Sequence, residues 1–161
     1  MSSTPSDTRA LRDAFGAFMT GVTIVTTIGA DGAPAGLTAN SFTSVSLDPA
    51  LLLVCLSGKS RTLPAIRSSG GFAVNILSEG QRDLSNRFAG RSEDRFAGVD
   101  WAPGPRGAPI LAGACGWFDC ALHDEVGAGD HLIMIGRVEG FELVGGKPLG
   151  YAQGGYFTLD L

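Results

Sequence analysis

Two short segments carry the residue types that a bound ligand would need. Ser57-Gly58-Lys59-Ser60-Arg61 brings hydroxyls, two cations and a glycine to an expected helix start. Free backbone N–H groups and the helix dipole make such a place receptive to phosphate, and Lys and Arg add charge. The same residues also make an ordinary helix cap. Thr38-Ala39-Asn40-Ser41, continuing into Thr43-Ser44-Val45-Ser46, is a small, polar stretch between buried strands. Polar groups placed there need partners, from backbone or ligand, and small side chains let a flat ligand lie against the backbone. A bulged strand edge followed by a hydroxyl-rich turn has the same composition.

Other chemistries fail on spacing. Gly58-Lys59-Ser60 matches the end of a phosphate-binding P-loop, but the glycine required five positions earlier is Leu53. Gly127 and Gly129 begin a dinucleotide fingerprint whose third glycine position holds Leu132. No G-x-S-x-G elbow is present. Cys115 and Cys120 are five apart on an expected strand, hence on opposite faces, and read as core cysteines rather than metal ligands. The two histidines, His123 and His131, lack identifiable co-ligands, so no metal site is expected.

Composition narrows the class further. At 161 residues with 44% hydrophobic and 17% charged side chains, the chain suits one folded domain, 1–161, with residues 1–7 expected to be disordered. A net charge of −4 supplies no basic face for nucleic acid. Three cysteines, sparse and odd in number, argue for a reducing compartment. The longest apolar run, Ala50 to Leu56, is far short of a membrane span. No signal segment is evident, and the expected location is the cytoplasm.

These segments must be held by elements that the pattern also indicates. Leu11, Ala14, Phe15, Phe18 and Met19 form a helical stripe, with Asp7 or Thr8 as a cap and Gly21 as a stop. Val22–Ile28 is β-branched and reads as a strand, Asp31-Gly32 as a hairpin turn, and Ala35–Phe42 as the return. Asp48-Pro49 marks a turn before Leu51–Leu56, which reads as a fully buried strand. A short helix is expected after Ser57, ending near Ser68-Ser69-Gly70-Gly71. Phe72–Leu77 reads as a strand, Gln81–Phe88 as a helix and residues 89–109 mostly as loop. Two long strands, about 110–126 and 131–144, flank a Gly127–Asp130 turn, and Tyr156–Leu159 closes the chain. Many strands joined by short turns suit a mainly β fold, an antiparallel barrel with peripheral helices.

Taken in order, the segments resemble the short-chain flavin reductase family, the reductase components of two-component flavin-dependent monooxygenases. Phe18–Thr26, Gly36–Pro49, Leu84–Gly90, Gly129–His131 and Pro148–Phe157 carry the resemblance, which runs from about residue 10 to the end. Departures are Ala50, where relatives often have a second proline, and Ala152 and Gln153, where they are often bulkier or basic.

The resemblance implies an FMN-binding split β-barrel, Greek-key-like, and a homodimer with flavin near the interface. It implies FMN or FAD as flavin, NADH or NADPH as reductant, and a partner flavin-dependent monooxygenase. Carried over, Thr38, Ala39, Asn40 and Ser41 face the isoalloxazine and ribityl chain. Ser46 and Ser57, Lys59, Ser60 and Arg61 approach the ribityl or phosphate end. Arg87 and Phe88 flank the flavin, and His131 sits near the nicotinamide. Tyr156 is either a ligand contact or a structural residue closing the barrel. Two other activities remain on the same fold: tightly held flavin passing electrons to another acceptor, and a flavin-binding module without enzymatic activity.

Overall fold

The computed structural model describes residues 4–160, so Met1–Ser3, part of the segment expected to be disordered, lie outside the described residues. Thr4–Asp7 form a turn, with the Asp7 N–H donating to the Thr4 carbonyl. The Asp7 carboxylate then accepts the Ala10 N–H at 3.0 Å and caps α1 (Thr8–Gly16). The apolar stripe does not continue as helix to Gly21. α1 stops at Gly16, because Thr20–Gly21 (β1) is drawn into an extended pairing with the tail. Phe15 and Phe18 are left 70% and 77% exposed, so this chain alone does not cover the stripe.

The β-branched run forms β2 (Thr23–Ile28), which turns through Gly32 into β3 (Pro34–Ala39). Next come β4 (Thr43–Leu47), β5 (Ala50–Ser57), α2 (Leu63–Ser69) and β6 (Gly71–Ile76). A 3₁₀ turn at Glu79–Gln81 leads into α3 (Arg82–Ala89). The loop that follows contains a small ribbon, β7 (Trp101–Pro103) against β8 (Pro109–Leu111). The long hairpin is β9 (Gly116–Ala128) and β10 (His131–Leu143). The tail forms a second hairpin, β11 (Leu149–Ala152) and β12 (Gly155–Thr158), which the sequence reading reduced to its last strand.

Seven strands make one antiparallel sheet in the order β3-β2-β6-β9-β10-β5-β4. β2, next to the edge strand β3, is buried on both faces. Alternation sends Val25 into a core with Val54, Ile66, Phe72 and Met134, and Ile24 into a second core with Leu77, Phe88, Leu111 and Leu149. The long hairpin bends at register shifts near Gly136 and Gly140. At Gly136 a Cβ would stand 2.8 Å from both the Phe72 ring and Cys120, so close packing requires glycine there. Buried Asn75 ties the ribbon to the sheet: its amide donates to the carbonyls of Ile24 and Pro109, and its oxygen accepts the Leu111 N–H at 2.8 Å.

Two expectations need correction here. β5 is not buried throughout: Leu52, Val54 and Leu56 are buried while Leu51, Leu53 and Cys55 are half-buried, because only its inner face meets the barrel core. α2 begins at Leu63, not after Ser57. Gly58–Thr62 is a run of turns, and a left-handed Gly70 closes α2.

Candidate functional site

The candidate site lies along β3, the edge strand, where α3 crosses it. Thr38 donates its hydroxyl to the Ser85 carbonyl of α3 at 2.6 Å. The Ser85 hydroxyl meets the Tyr156 hydroxyl at 2.8 Å, and Tyr156 in turn donates to the Asn86 side chain at 3.0 Å. Tyr156 also stacks edge-on against Tyr151 and lies under the Arg82 guanidinium. These groups enclose a slot of ≈ 200 Å³ lined by Val22, Thr38, Ala39, Asn40, Ala89 and Tyr151, among others. Its lining combines small side chains with the rings of Tyr151 and Tyr156. The exposed Asn40 amide lies at its lining without an internal hydrogen bond among the described residues.

Ser41 lies just beyond β3. Its hydroxyl donates to the Cys55 carbonyl at 3.0 Å and accepts the Cys55 N–H at 2.9 Å. One side chain thus replaces the ladder where β4 has ended, and it holds the Asn40 corner against β5. Ser46 stands half-buried on edge strand β4, beside the register shift at Val45.

Turns from distant parts of the sequence meet at the end of β5. His131 pairs in register with Ser57, and the Gly58 N–H donates to the Asp130 carbonyl at 3.0 Å. The exposed His131 ring places Nδ1 2.7 Å from the Asp130 carboxylate. That bond and the neighbouring imidazole hold the Asp130 carboxyl below its usual range. The hydroxyls of Ser57 and Ser60 accept the N–H groups of Lys59 and Thr62, which shapes the turn and leaves Lys59 exposed.

A second cleft, of ≈ 330 Å³, lies at the other end of β3, between Ala33–Gly36 and the loop after α3, with Arg61 and Thr62 on its wall. The structure therefore brings Thr38, Ala39, Asn40 and Tyr156 to one cavity, Arg61 to a second, and His131 beside Ser57. It does not bring Arg87 or Phe88 to either lining. Arg87 turns to the far side of α3 and donates to the Ala97 carbonyl at 2.6 Å, beside a third cavity. Phe88 is fully buried and packs edge-on against Phe96, with centroids 4.9 Å apart. Helical geometry puts residues 85 and 88–89 on the face toward β3 and residue 87 on the other side.

The chain matches the flavin reductase like domain family over residues 15–160. It belongs to that family. A protein described as a probable flavin reductase from Rhizobium meliloti (strain 1021) is 60% identical over 152 residues, covering 94% of this chain and 49% of its own length. The chain thus spans about half the length of that relative. A flavin-dependent monooxygenase reductase subunit, HsaB of Mycobacterium tuberculosis (strain ATCC 25618 / H37Rv), is 40% identical, with 96% of this chain and 83% of its own covered. Among solved structures, Streptomyces globisporus C-1027 NADH:FAD oxidoreductase SgcE6, in complex with NAD and FAD fragments, superposes with a TM-score of 0.93 at 38% identity, covering 99% of this chain and 96% of its own.

In this flavin reductase-like domain, the residues present fit a flavin. The slot between β3 and α3 offers small side chains and two tyrosine rings to a planar ring, and the Asn40 amide to its polar edge. Sequence reasoning missed Ser85, Tyr151 and Arg95. A signal for the last was available: Arg87-Phe88-Ala89-Gly90 recurs as Arg95-Phe96-Ala97-Gly98, and the two phenylalanines stack on each other.

Proposed function

We propose that this chain is an NAD(P)H:flavin oxidoreductase that reduces FMN or FAD and supplies reduced flavin to a partner monooxygenase. The observation that carries the reading is the near-complete, mutual coverage with SgcE6 and HsaB, combined with the slot along β3. A bound flavin would supply acceptance of hydride from the nicotinamide, and the protein supplies orientation. Thr38, held by Ser85, and Ala39 form the wall against which the ring lies. Asn40, fixed at its corner by Ser41, offers an amide to the polar edge, where charge develops on reduction. His131, braced by Asp130, positions the nicotinamide at the end of β5 and need not transfer a proton.

The same reading includes a homodimer, one domain and a cytoplasmic setting. The exposed Leu11, Phe15, Phe18 and Met19 offer a face for a second copy, and β2, shared by both cores, argues for one domain. Three free cysteines suit a reducing compartment. No helix among the described residues is long and apolar enough to cross a membrane.

The test is oxidation of NADH and of NADPH with FMN, FAD or no added flavin. Turnover that depends on added flavin supports a diffusible-flavin reductase. Absence of turnover with every pair would sink the proposal. For His131, the expected result is that His131→Ala raises the apparent KM for NADH. An unchanged KM and kcat would remove that role.

A further inference from the structure

The hydroxyls around the slot along β3 have a fixed hydrogen-bond direction. Thr38 spends its one hydroxyl proton on the Ser85 carbonyl at 2.6 Å. Tyr156 spends its own on the Asn86 side chain at 3.0 Å. In the 2.8 Å contact between the Ser85 and Tyr156 hydroxyls, Ser85 is therefore the donor, because Tyr156 has no second proton to give. Thr38 and Ser85 both line the slot, and both are left with lone pairs only. Ser85 is fully buried, and the Tyr156 ring is braced edge-on by Tyr151 with centroids 5.4 Å apart, so the direction is held by packing as well as by bonding.

The charge around the slot points the same way. Among the described residues, no Lys, Arg or His lines it. Arg82 lies 5.2 Å from the Tyr156 ring centroid without belonging to the lining. The side-chain donors that remain are the neutral Asn40 amide and the Tyr151 hydroxyl. A hydride brings two electrons and one proton, so a neutral oxidised flavin becomes an anion when it accepts one. In water that charge is solvated from every side. In the slot it meets two neutral donors, the lone pairs of Thr38 and Ser85, and the field of a chain of net charge −4. Loss of solvation without a cation or a full set of donors costs the charged form, and the neutral form escapes that cost.

We propose that the slot holds oxidised flavin more tightly than reduced flavin, and that Tyr156 is the positioning residue that sets this difference, by drawing the Ser85 proton away from the ring. The inference rests on the reductase reading and adds to it the sense of the binding preference. A site with differential affinity for the two redox states shifts the bound population toward the one it favours. Here the favoured state is the substrate, so the product leaves, as a flavin destined for a second enzyme must.

The experiment measures the midpoint potential of FMN with the full chain in excess, by anaerobic equilibration against a reference dye, and the affinity for oxidised FMN by fluorescence titration. The expected wild-type result is reduced FMN bound at least about tenfold more weakly than oxidised FMN. For a two-electron couple that places the bound potential about 30 mV or more below the potential of free FMN. Tyr156→Phe keeps the ring and removes the acceptor, so the Ser85 hydroxyl is free to turn to the slot, and the gap between bound and free potentials closes by at least half. Loosening of the wall alone weakens both redox states equally and leaves the gap as it was. Should Tyr156→Phe fold poorly, Ser85→Ala takes its place: it removes the lone pair without altering the tail, and the gap narrows in the same sense. A wild-type bound potential equal to or above that of free FMN overturns the proposal. So does an unchanged gap in the folded variant. The reductase reading fails separately, if the wild type binds no FMN and oxidises no nicotinamide with any flavin.

Discussion

The two cavities along β3 are built on opposite principles. In the slot around Thr38, nearly every polar group is already engaged by the protein: Thr38 with Ser85, Ser85 with Tyr156, Tyr156 with Asn86. Among the described residues, Asn40 and the Tyr151 hydroxyl at the lining are left over. In the cleft around Arg95, the guanidinium donates only to backbone carbonyls, while Glu93 and Asp94 share the lining without pairing with it. A satisfied network is rigid and offers shape, whereas an unsatisfied one offers binding energy. Phe88 stands behind both regions. Its ring packs on Phe96, a lining residue of the arginine cleft, and a Cβ on Gly36 would meet it at 3.0 Å.

That shared backing gives the largest expected effect. Phe88→Ala removes a fully buried ring and should cost about 3–5 kcal/mol in urea unfolding. It should also weaken flavin binding, since the walls of both cavities relax. A variant of near wild-type stability would show that the two cavities have independent supports. Gly36→Ala probes the same junction from the strand side. Its Cβ would lie 2.9 Å from the Val25 carbonyl, so overpacking of about 1–3 kcal/mol is expected in the same assay.

Smaller changes should separate the two regions. Thr38→Val removes the side-chain hydrogen bond that ties the Ser85 carbonyl to β3, and Tyr156→Phe removes two hydrogen bonds; each should cost about 1–2 kcal/mol of stability. Arg61 makes one long contact, 3.5 Å to the Arg91 carbonyl, so Arg61→Met should stay within about 0.5 kcal/mol of the wild type in unfolding. If the slot variants changed only affinity, or the arginine variant cost as much stability as they do, the contrast between the regions would collapse.

Much of this contrast was present in the sequence, and its limits have physical causes. The β-branched run of β2, the Asp31-Gly32 turn and the long hairpin follow from local pattern, because strand alternation and turn chemistry act over few residues. The polar stretch Thr38–Ser41 and the exposed His131 were also legible. Hydrogen bonds across a gap of 47 residues, such as Thr38 to Ser85, were not, because spacing along the chain carries no information about them. Phe88 shows the opposite failure. It sits within a family-like segment, yet periodicity on α3 aims it at the core and Arg87 away from the slot. The half-buried face of β5 was misjudged because apolar composition does not say what covers a face.

Asp119 tests whether an unpartnered atom always awaits a ligand. It is fully buried on β9; Oδ2 accepts the Arg106 N–H at 2.7 Å, while Oδ1 has no partner. The adjoining cavity holds only ≈ 20 Å³, the scale of one water, far from the ≈ 330 Å³ of the arginine cleft. Burial pushes its carboxyl pKa up, against the smaller opposing influence of Arg106. The folded state therefore holds this proton more tightly than the unfolded chain does. The contribution to stability rises as pH falls through the raised folded value and levels off below the unfolded value near about 3.9. At neutral pH the charged form is a net cost that no ligand offsets. Asp119→Asn should thus stabilise the protein at pH 7 by up to about 1 kcal/mol, on the scale of one hydrogen bond. Glu125, Glu139 and Asp130 have lowered values, so their contributions are lost in acid and slope the other way. Subtracting the variant's stability–pH curve from the wild type's isolates Asp119: the difference should shrink as pH falls. A difference that grows in acid would mean that the Asp119 carboxylate is stabilised by its surroundings, and the distinction between a water-sized gap and a ligand-sized cleft would need another basis.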